Sequence, residues 1–269
     1  RNLAPKSSLH FPKVQAAFCM LQSPSLFLPT TEAFMTLCII PARGGSKRIP
    51  RKNIRPFNGK PMIAHSILAA RSAGCFERII VSTDDDEIAQ IARQYGADVP
   101  FVRPAGLADD FATTGAVIAH AVGHMRQHGW HGENACCLYA TAPFVRAEDL
   151  QEGLRQLSEQ QADFAFSVTR FPFPIQRALR LNAEHGVSMF APENFAVRSQ
   201  DLEEAWHDAG QFYWGSADAW LQQKPIFNSR SIGIPLPQHR VQDIDTEEDW
   251  RRAEYLARLL ADEAQKDAP

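Results

Sequence analysis

From Thr36 onward, the chain alternates short apolar runs with longer amphipathic stretches, and this alternation is what most restricts its fold. It is typical of β-α-β units, in which each buried strand is followed by a helix that packs on a mostly parallel sheet. The sequence therefore predicts an α/β protein. Strands are predicted at 36–42, 78–82, 99–102, 135–140, 163–169 and 229–235, and helices at 61–73, 85–95, 113–128, 147–160, 216–223 and 246–262.

Two segments lack this alternation. Residues 1–34 are rich in proline and serine, have no regular period, and contain no continuous apolar stretch of the kind found in a secretory signal. Met35 directly precedes the first strand, so we expect 1–34 to be a non-native or disordered leader and 35–265 to be the folded domain. Residues 170–208 contain FPFP and a polar run, and we expect an excursion from the sheet that forms a lid or an oligomer contact.

Charge and hydropathy exclude two classes of partner. The 269 residues carry a formal net charge of −3, which lacks the basic character of proteins that bind duplex nucleic acid. No stretch approaches the roughly 20 apolar residues that a membrane span requires. We therefore expect a soluble protein that binds neither nucleic acid nor membrane, and any excess of positive charge must act locally.

Such a local excess follows the first strand, in the loop ARGGSKRIPRKN. Gly44 and Gly45 allow backbone N–H groups to approach an anion, and Arg43 and Lys47 supply positive charge. Ligands of open α/β sheets bind beyond the carboxyl ends of the strands, where this loop lies. The loop has neither the Walker A spacing nor G-x-G-x-x-G. It predicts a triphosphate site, with a solvated basic turn as the alternative.

An acidic block, VQDIDTEEDW, lies near the carboxyl end of the chain. Asp243 and Asp245 are two residues apart on an extended segment, so their carboxylates are expected on the same side, where they could bind a hard cation such as Mg²⁺. Thr246 and Asp249 have the spacing of a capping box, which predicts a helix start. A cap does not account for Asp243, which lies too far upstream.

Two further blocks contain polar residues after predicted strands. In VSTDDDEIA, Asp84 is a candidate ligand, whereas Asp85 and Asp86 are more simply interpreted as the start of a helix. In RPAGLADDFATT, Arg103 ends a predicted strand and Thr114 lies at the start of a helix.

In this order, ARGGSKRIPRKN, RIIVSTDDDEIA, RPAGLADDFATT and DIDTEEDW resemble blocks of the CMP-nonulosonic acid synthetases, the cytidylyltransferases that activate sialic acid-like sugars. The resemblance covers roughly residues 36–257. It implies a Rossmann-like, mostly parallel sheet of the nucleotide-diphospho-sugar transferase type, with a small inserted dimerisation excursion at about 170–208.

The resemblance also implies roles for individual residues. Asp243 and Asp245 would bind Mg²⁺ and, with Arg43 and Lys47, would be catalytic. Arg103 matches a residue near cytosine. The implied nucleotide-binding residues are Arg43, Gly44, Gly45, Ser46, Lys47, Lys52, Asn53, Arg103 and Thr114.

On the sugar side, the chain departs from the neuraminate enzymes. Tyr139 stands where they usually have glutamine, and Gln211 lies in a second altered block. Both changes are similar to the pseudaminic acid cytidylyltransferase branch, which implies that CTP and pseudaminic acid react to CMP-pseudaminic acid and pyrophosphate in the cytoplasm of a bacterium, for glycans such as those on flagellin. Arg177 and Arg198 match basic residues that a partner subunit contributes, which implies a homodimer with sugar contacts across its interface.

Three alternatives remain open at this point. The same reaction could use N-acetylneuraminic, legionaminic or 3-deoxy-manno-octulosonic acid. A molybdopterin guanylyltransferase or a sugar-1-phosphate nucleotidyltransferase would share the fold, although those enzymes usually have a longer glycine-rich loop. A nucleotide-binding module without catalysis is disfavoured, because binding alone does not need the paired aspartates Asp243 and Asp245.

Overall fold

A computed structural model describes residues 35–266, so the leader predicted for 1–34 lies outside the described residues. The central sheet of this part has the strand order β10-β6-β9-β5-β1-β4. Two short hairpins, β2-β3 and β7-β8, lie outside it. The strands are β1 Thr36–Pro41, β2 Pro56–Phe57, β3 Lys60–Pro61, β4 Arg78–Ser82, β5 Asn134–Leu138, β6 Phe164–Arg170, β7 Leu179–Leu181, β8 Val187–Met189, β9 Trp206–Ser216 and β10 Ser231–Pro235.

Helices cover both faces of the central sheet. The first strand shows why: Cys38 packs in one apolar cluster with Ile63 of α1, whereas Leu37 packs in another with Ile118 of α3. A strand buried on both faces reads as a continuous apolar run, as β1 does. None of the helices described within 35–266 is long and apolar enough to cross a membrane. The helices are α1 Met62–Ala73, α2 Asp86–Gln94, α3 Thr114–Gln127, α4 Ala147–Glu159, α5 Ala217–Leu221 and α6 Glu247–Lys266.

The predicted fold class is confirmed, but the strand predicted at 99–102 is wrong. This segment runs beside β4 and meets it only at isolated bridges, Ile80 with Asp98 and Thr83 with Val102. Pro100 lies between those bridges and has no N–H group to donate to a ladder. The segment is therefore a connection along the edge of the sheet.

The sequence analysis missed a strand, β9, which lies between β5 and β6 and is antiparallel to both. Its apolar residues do not alternate with polar ones, and two glycines, Gly210 and Gly215, interrupt it. Glycine is unfavourable inside strands, so the segment looked irregular. The β6–β9 pairing also contains a register shift between Phe166 and Val168, which marks a bulge.

Between β6 and β9, residues 171–205 leave the central sheet and form the hairpin β7-β8 with short 3₁₀ turns. We call these residues the excursion. Large apolar side chains are exposed here, up to 79% for Phe173. Scattered exposed apolar residues are normal, but a concentration on one segment points to a contact surface. The exposed set is Phe171, Phe173, Ile175, Leu179, Leu181, Val187, Phe190 and Phe195.

Candidate active site

The basic loop after β1 is held by one hydrogen bond within itself and by another to a residue that follows β4. The Asn53 amide donates to the backbone oxygen of Arg43 at 3.0 Å, and the Gly44 N–H donates to Asp84 Oδ1 at 3.0 Å. A Cβ on residue 44 would lie 2.6 Å from Asp85 Oδ2, which is closer than a real contact. The loop therefore needs glycine at position 44 because the backbone passes directly over the Asp85 side chain.

Asp85 also connects the loop to α2. Its carboxylate accepts from the Ile88 N–H at 2.9 Å, so the prediction that Asp85 starts a helix is confirmed. The same carboxylate accepts from the Arg51 guanidinium at 2.5 Å, and Arg51 also pairs with Glu87. The hydrogen bond from Arg51 lowers the pKa of Asp85, so this anchor stays charged.

Beside the loop lies a cavity of about 610 Å³, bordered by residues that follow β1 and β5. Most of the predicted nucleotide-binding residues line it, together with Tyr139 and Asp245. These residues come from segments far apart in the chain, which meet at the carboxyl edge of the sheet. The lining consists of Pro41, Arg43, Ser46, Lys47, Arg48, Lys52, Asn53, Arg103, Leu107, Asp109, Asp110, Ala112, Thr114, Val117, Tyr139, Ala140, Thr141 and Asp245.

This lining carries more positive than negative charge: five cationic side chains against three carboxylates. Asp110 pairs with both Arg43, at 2.6 Å, and Lys47. Those hydrogen bonds lower the pKa of Asp110, and the one from Lys47 has the largest effect. The two cations thus already hold an anionic group at the place where the sequence predicts phosphate.

One wall of the cavity is formed by Arg103, whose side chain is 5% exposed. Its Nε donates to Ser82 Oγ at 3.1 Å and its Nη2 to the Ser82 carbonyl, so the guanidinium plane is fixed. Burial lowers the pKa of Arg103, although arginine stays charged in proteins. Elsewhere on the lining, Thr114 Oγ1 lies 3.3 Å from the Tyr139 hydroxyl.

The acidic block enters the cavity through Asp245. Its Oδ1 lies 2.9 Å from Arg48 Nη2 and 3.2 Å from Lys52 Nζ. Lys52 also donates to the carbonyl of buried Ile244 at 2.5 Å, so the basic loop and the acidic block are directly joined. Asp243 lies outside the lining. Burial raises its pKa, and the negative charge of Asp245 raises it further.

The carboxylates of Asp243 and Asp245 supply the oxygen ligands that a hard divalent cation prefers, and the charge of Asp245 adds to burial in raising the pKa of Asp243, as expected for two carboxylates close together. Among the described residues, no cluster of three or more His, Cys, Asp or Glu side chains could hold a metal ion. Mg²⁺ commonly binds one or two carboxylates and takes its other ligands from substrate phosphates and water. The capping box predicted for Thr246 and Asp249 is confirmed, with both backbone N–H groups bonded to the opposite side chain.

Several predicted site residues are not brought to the cavity. Gln211 is 3% exposed and donates to the Arg240 carbonyl at 2.5 Å, because its position on β9 points it into the protein. Within the excursion, Arg177 donates to the Val197 carbonyl and Arg198 pairs with Asp201 at 2.7 Å. The structure leaves outside the lining Gly44, Gly45, Arg177, Arg198, Gln211 and Asp243.

The structure also places residues in the site that the sequence analysis did not select. Arg48 and Asp110 lie inside two of the quoted blocks, but their role depends on which side chains face the cavity. Sequence gives no such direction for a loop residue.

A family described as "Cytidylyltransferase" matches residues 37–265. The chain belongs to the cytidylyltransferase family. It is therefore a nucleotidyltransferase, and the family resemblance predicted from the four sequence blocks is confirmed. The family match begins in β1 and ends in α6, so it includes both the basic loop and the acidic block.

Individual proteins of known name are also similar to the chain. A pseudaminic acid cytidylyltransferase from Campylobacter jejuni is 45% identical over 83% of this chain and 96% of that protein. A CMP-N,N'-diacetyllegionaminic acid synthase from Legionella pneumophila is 32% identical over 83% of this chain and 96% of that protein. A solved CMP:2-keto-3-deoxy-manno-octonic acid synthetase complexed with CTP superposes with a TM-score of 0.61 at 17% identity, over 85% of this chain and 99% of that chain, which shows a shared fold.

Proposed function

We propose that this cytidylyltransferase transfers CMP from CTP to pseudaminic acid, with pyrophosphate as the second product. The observation that carries the proposal is the cavity, which joins the basic loop, Arg103, Tyr139 and Asp245 in one positively charged site. The choice of sugar is supported by the 45% identity to a protein named for it, against 32% for the legionaminic acid enzyme. Because the relatives named above from Campylobacter and Legionella are bacterial and CTP is an intracellular nucleotide, the reaction would take place in a bacterial cytoplasm.

In this reaction, the anomeric hydroxyl of the sugar attacks the α-phosphorus of CTP, and the bond from that phosphorus to the bridging oxygen breaks. Arg43, Ser46 and Lys47 would bind the phosphates, and Lys52 would lie near the cleaved bond. Negative charge grows on the leaving pyrophosphate, so fixed cations here lower the barrier. Catalysis then comes from positioning and charge, without a covalent intermediate on the protein.

The other end of the nucleotide would lie against Arg103 and Thr114. The two hydrogen bonds to Ser82 hold the Arg103 guanidinium in one orientation, as recognition of a base edge requires. Asn53 supports the loop from behind through the Arg43 carbonyl. The nucleotide would thus be bound between one preformed wall and one preformed loop.

Mg²⁺ would be held by Asp243 and Asp245 together with phosphate oxygens of the substrate. The ion would neutralise phosphate charge and polarise the attacked phosphorus. Asp245 itself orients Lys52 and Arg48 toward the phosphates, at 3.2 Å and 2.9 Å. This carboxylate therefore has two roles, as a ligand and as the partner of two cations.

The sugar would lie beside Tyr139. The carboxylate of the sugar would be bound by an arginine, which forms strong charge-assisted hydrogen bonds with such groups. Arg177 and Arg198 are away from the cavity of their own chain, so they would serve the site of a partner subunit in a homodimer. The exposed apolar side chains of the excursion support such an interface. Each active site of the dimer would then combine a nucleotide-binding half from one subunit with a sugar-binding segment from the other.

The test is pyrophosphate release with CTP and Mg²⁺ and four acids offered separately: pseudaminic, N-acetylneuraminic, legionaminic and 3-deoxy-manno-octulosonic acid. ATP, GTP and UTP serve as controls. We expect turnover with CTP and pseudaminic acid. Turnover only with another acid would change the sugar and keep the mechanism, whereas no turnover of CTP with any of the four acids would reject the proposal.

A further inference from the structure

The part of the cavity wall formed by Tyr139 rests on a second tyrosine that the proposed reaction does not use. The rings of Tyr139 and Tyr213 lie with their centroids 5.3 Å apart, at an interplanar angle of 47°. The Tyr139 backbone N–H donates to the Gln211 carbonyl at 2.9 Å. Strand β9 thus supports both the backbone and the ring of the residue expected to contact the sugar.

Tyr213 is itself fixed by Asp208. The Tyr213 side chain is 4% exposed, and its hydroxyl donates to Asp208 Oδ2 at 2.6 Å. The other carboxylate oxygen of Asp208 accepts from the Gly210 N–H at 2.8 Å. One carboxylate therefore holds the tip of a buried ring and a turn of the backbone at the same time.

This contact depends on the bulge in β9. Asp208 and Tyr213 are five residues apart, and in a regular strand an odd separation would place their side chains on opposite faces of the sheet. The register shift between Phe166 and Val168 and the positive φ of Gly210, +63°, mark the irregularity between them. Bulges are common beside active sites, where they re-aim a side chain. Here the bulge allows Asp208 to reach the Tyr213 hydroxyl.

The hydroxyls of Tyr139 and Tyr213 both keep their protons, so each can donate a hydrogen bond. Burial raises the pKa of Tyr139 to about 12, and burial, together with the neighbouring Tyr139 and Asp208, raises the pKa of Tyr213 further. Both hydroxyls are therefore neutral at physiological pH. Tyr213 donates a hydrogen bond to Asp208, and Tyr139 keeps a hydroxyl that can donate at the cavity wall.

We infer that Asp208 is a positioning residue of the sugar subsite, acting through Tyr213 on Tyr139. By holding the Tyr213 hydroxyl, it fixes the ring against which Tyr139 packs and so fixes the Tyr139 hydroxyl beside Thr114. The ligand that benefits is the polar, hydroxyl-bearing sugar acid beside Tyr139, because Thr114 on the nucleotide side lies in the first turn of α3 and is positioned by that helix. The inference rests on the proposed function, because it takes Tyr139 to face the sugar.

The experiment compares Asp208→Ala, Asp208→Asn and Tyr213→Phe in steady-state assays in which either pseudaminic acid or CTP is varied. Asp208→Ala and Tyr213→Phe should raise the KM for the sugar about tenfold, the effect of one lost hydrogen bond to a charged group, with the KM for CTP within about twofold. Asp208→Asn should recover part of the loss, because its one amide oxygen can still accept from the hydroxyl, while its NH2 then faces the Gly210 N–H. Tyr255→Phe, which alters an exposed phenol on α6, is the matched control.

A double variant distinguishes positioning from independent contacts. If Asp208 acts through Tyr139, then Asp208→Ala should have little further effect on the sugar KM in a Tyr139→Phe background. The inference would be overturned if the effects of the two substitutions on the sugar KM multiplied. An equal rise in the KM for the sugar and the KM for CTP would overturn it as well. If Asp208→Ala does not fold, judged by circular dichroism, Tyr213→Phe removes one oxygen only and gives the same test.

The wild-type assay separates this inference from the proposed function. If another nonulosonic acid is the substrate, the same variants are tested with that acid and the same outcomes decide. If the wild type turns over none of the four acids, the proposed function fails and the sugar-subsite inference is rejected with it. If the wild type is active and the variants leave the sugar KM unchanged, only the inference fails.

Discussion

The loop after β1 and the excursion after β6 both carry arginines expected to contact substrate, but they are held in different ways. In the loop, Arg43 pairs with Asp110, which lies 67 residues away, and Lys52 donates to the Ile244 carbonyl. In the excursion, Arg198 pairs only three residues away, with Asp201. The loop is organised by its own subunit, whereas the excursion, with its exposed apolar side chains, has the features of a segment organised by a partner.

The largest effect is expected from a change on the loop side, Asp245→Asn. It should lower kcat by roughly 100-fold or more, because it removes a proposed cation ligand and the partner of Lys52 and Arg48. CTP binding, measured by calorimetry, should remain detectable. Glu248→Gln, on the exposed start of α6, is the control. Turnover near the wild-type level at saturating Mg²⁺ would show that Asp245 is not a metal ligand.

On the excursion side, Arg198→Ala should lower activity about tenfold, the effect of a lost charged hydrogen bond to the sugar carboxylate. If the loop of one subunit and the excursion of the other form one site, variants of the two regions should complement each other. After subunit exchange, an equal mixture of Arg198→Ala and Asp245→Asn should recover about a quarter of the wild-type activity, because half of the dimers contain one intact site. Activity equal to the mean of the two separate variants would show that each chain completes its own site.

The control for that mixture is a double variant that carries Arg198→Ala and Asp245→Asn in the same chain. When this double variant is mixed with Asp245→Asn, no combination of subunits contains an intact site, so no recovery is expected. The molar mass in solution, measured by light scattering, shows whether dimers form at all. A monomeric wild type with full activity would reject the contribution of a partner.

A smaller effect is expected within the loop itself. Gly44→Ala would place a Cβ 2.6 Å from Asp85 Oδ2, so the loop must shift, and we expect the Kd for CTP to rise about tenfold. Gly123→Ala on α3 is the matched control, since its Cβ meets only Leu221, at 3.8 Å. If Gly44→Ala binds CTP as well as the wild type does, the loop is not preformed, and the contrast with the excursion becomes weaker.

The smallest effect is expected for Asp110→Asn, which should tighten CTP binding by roughly two- to fivefold at low salt. Asp110 pairs with Arg43 and Lys47, so it competes with phosphate for the same cations. The gain should shrink as salt rises, because screening weakens both the internal and the ligand contacts. Weaker binding by the variant would instead show that Asp110 orients these two cations for the nucleotide.

The helices and most strands could be predicted because burial dictates their period. The strand β1 is apolar throughout since both of its faces are covered, and Asp85 and Thr246 have the spacing of helix starts. The strand β9 could not be found in this way. Its bulge and its glycines remove the alternation, and only its pairing with β5 and β6 makes it a strand.

The candidate site shows the same limit. Arg43, Lys47 and Asp245 could be selected because charge placed after a strand, or beside a second carboxylate, has few structural uses. The direction of the Gln211 side chain could not be predicted from its position in a block, because on a bulged strand it depends on the register of the neighbouring strands. Asp110 was missed because its partners lie more than sixty residues earlier, in the basic loop.

The hydrogen bond from Lys52 to Ile244 spans 192 residues of sequence. During synthesis, the basic loop leaves the ribosome long before the acidic block exists, and domains generally fold as their residues emerge. A growing chain that has formed β1 and α1 therefore lacks Asp245 and cannot complete the site. CTP would therefore bind a complete site only in a chain whose synthesis has passed the acidic block.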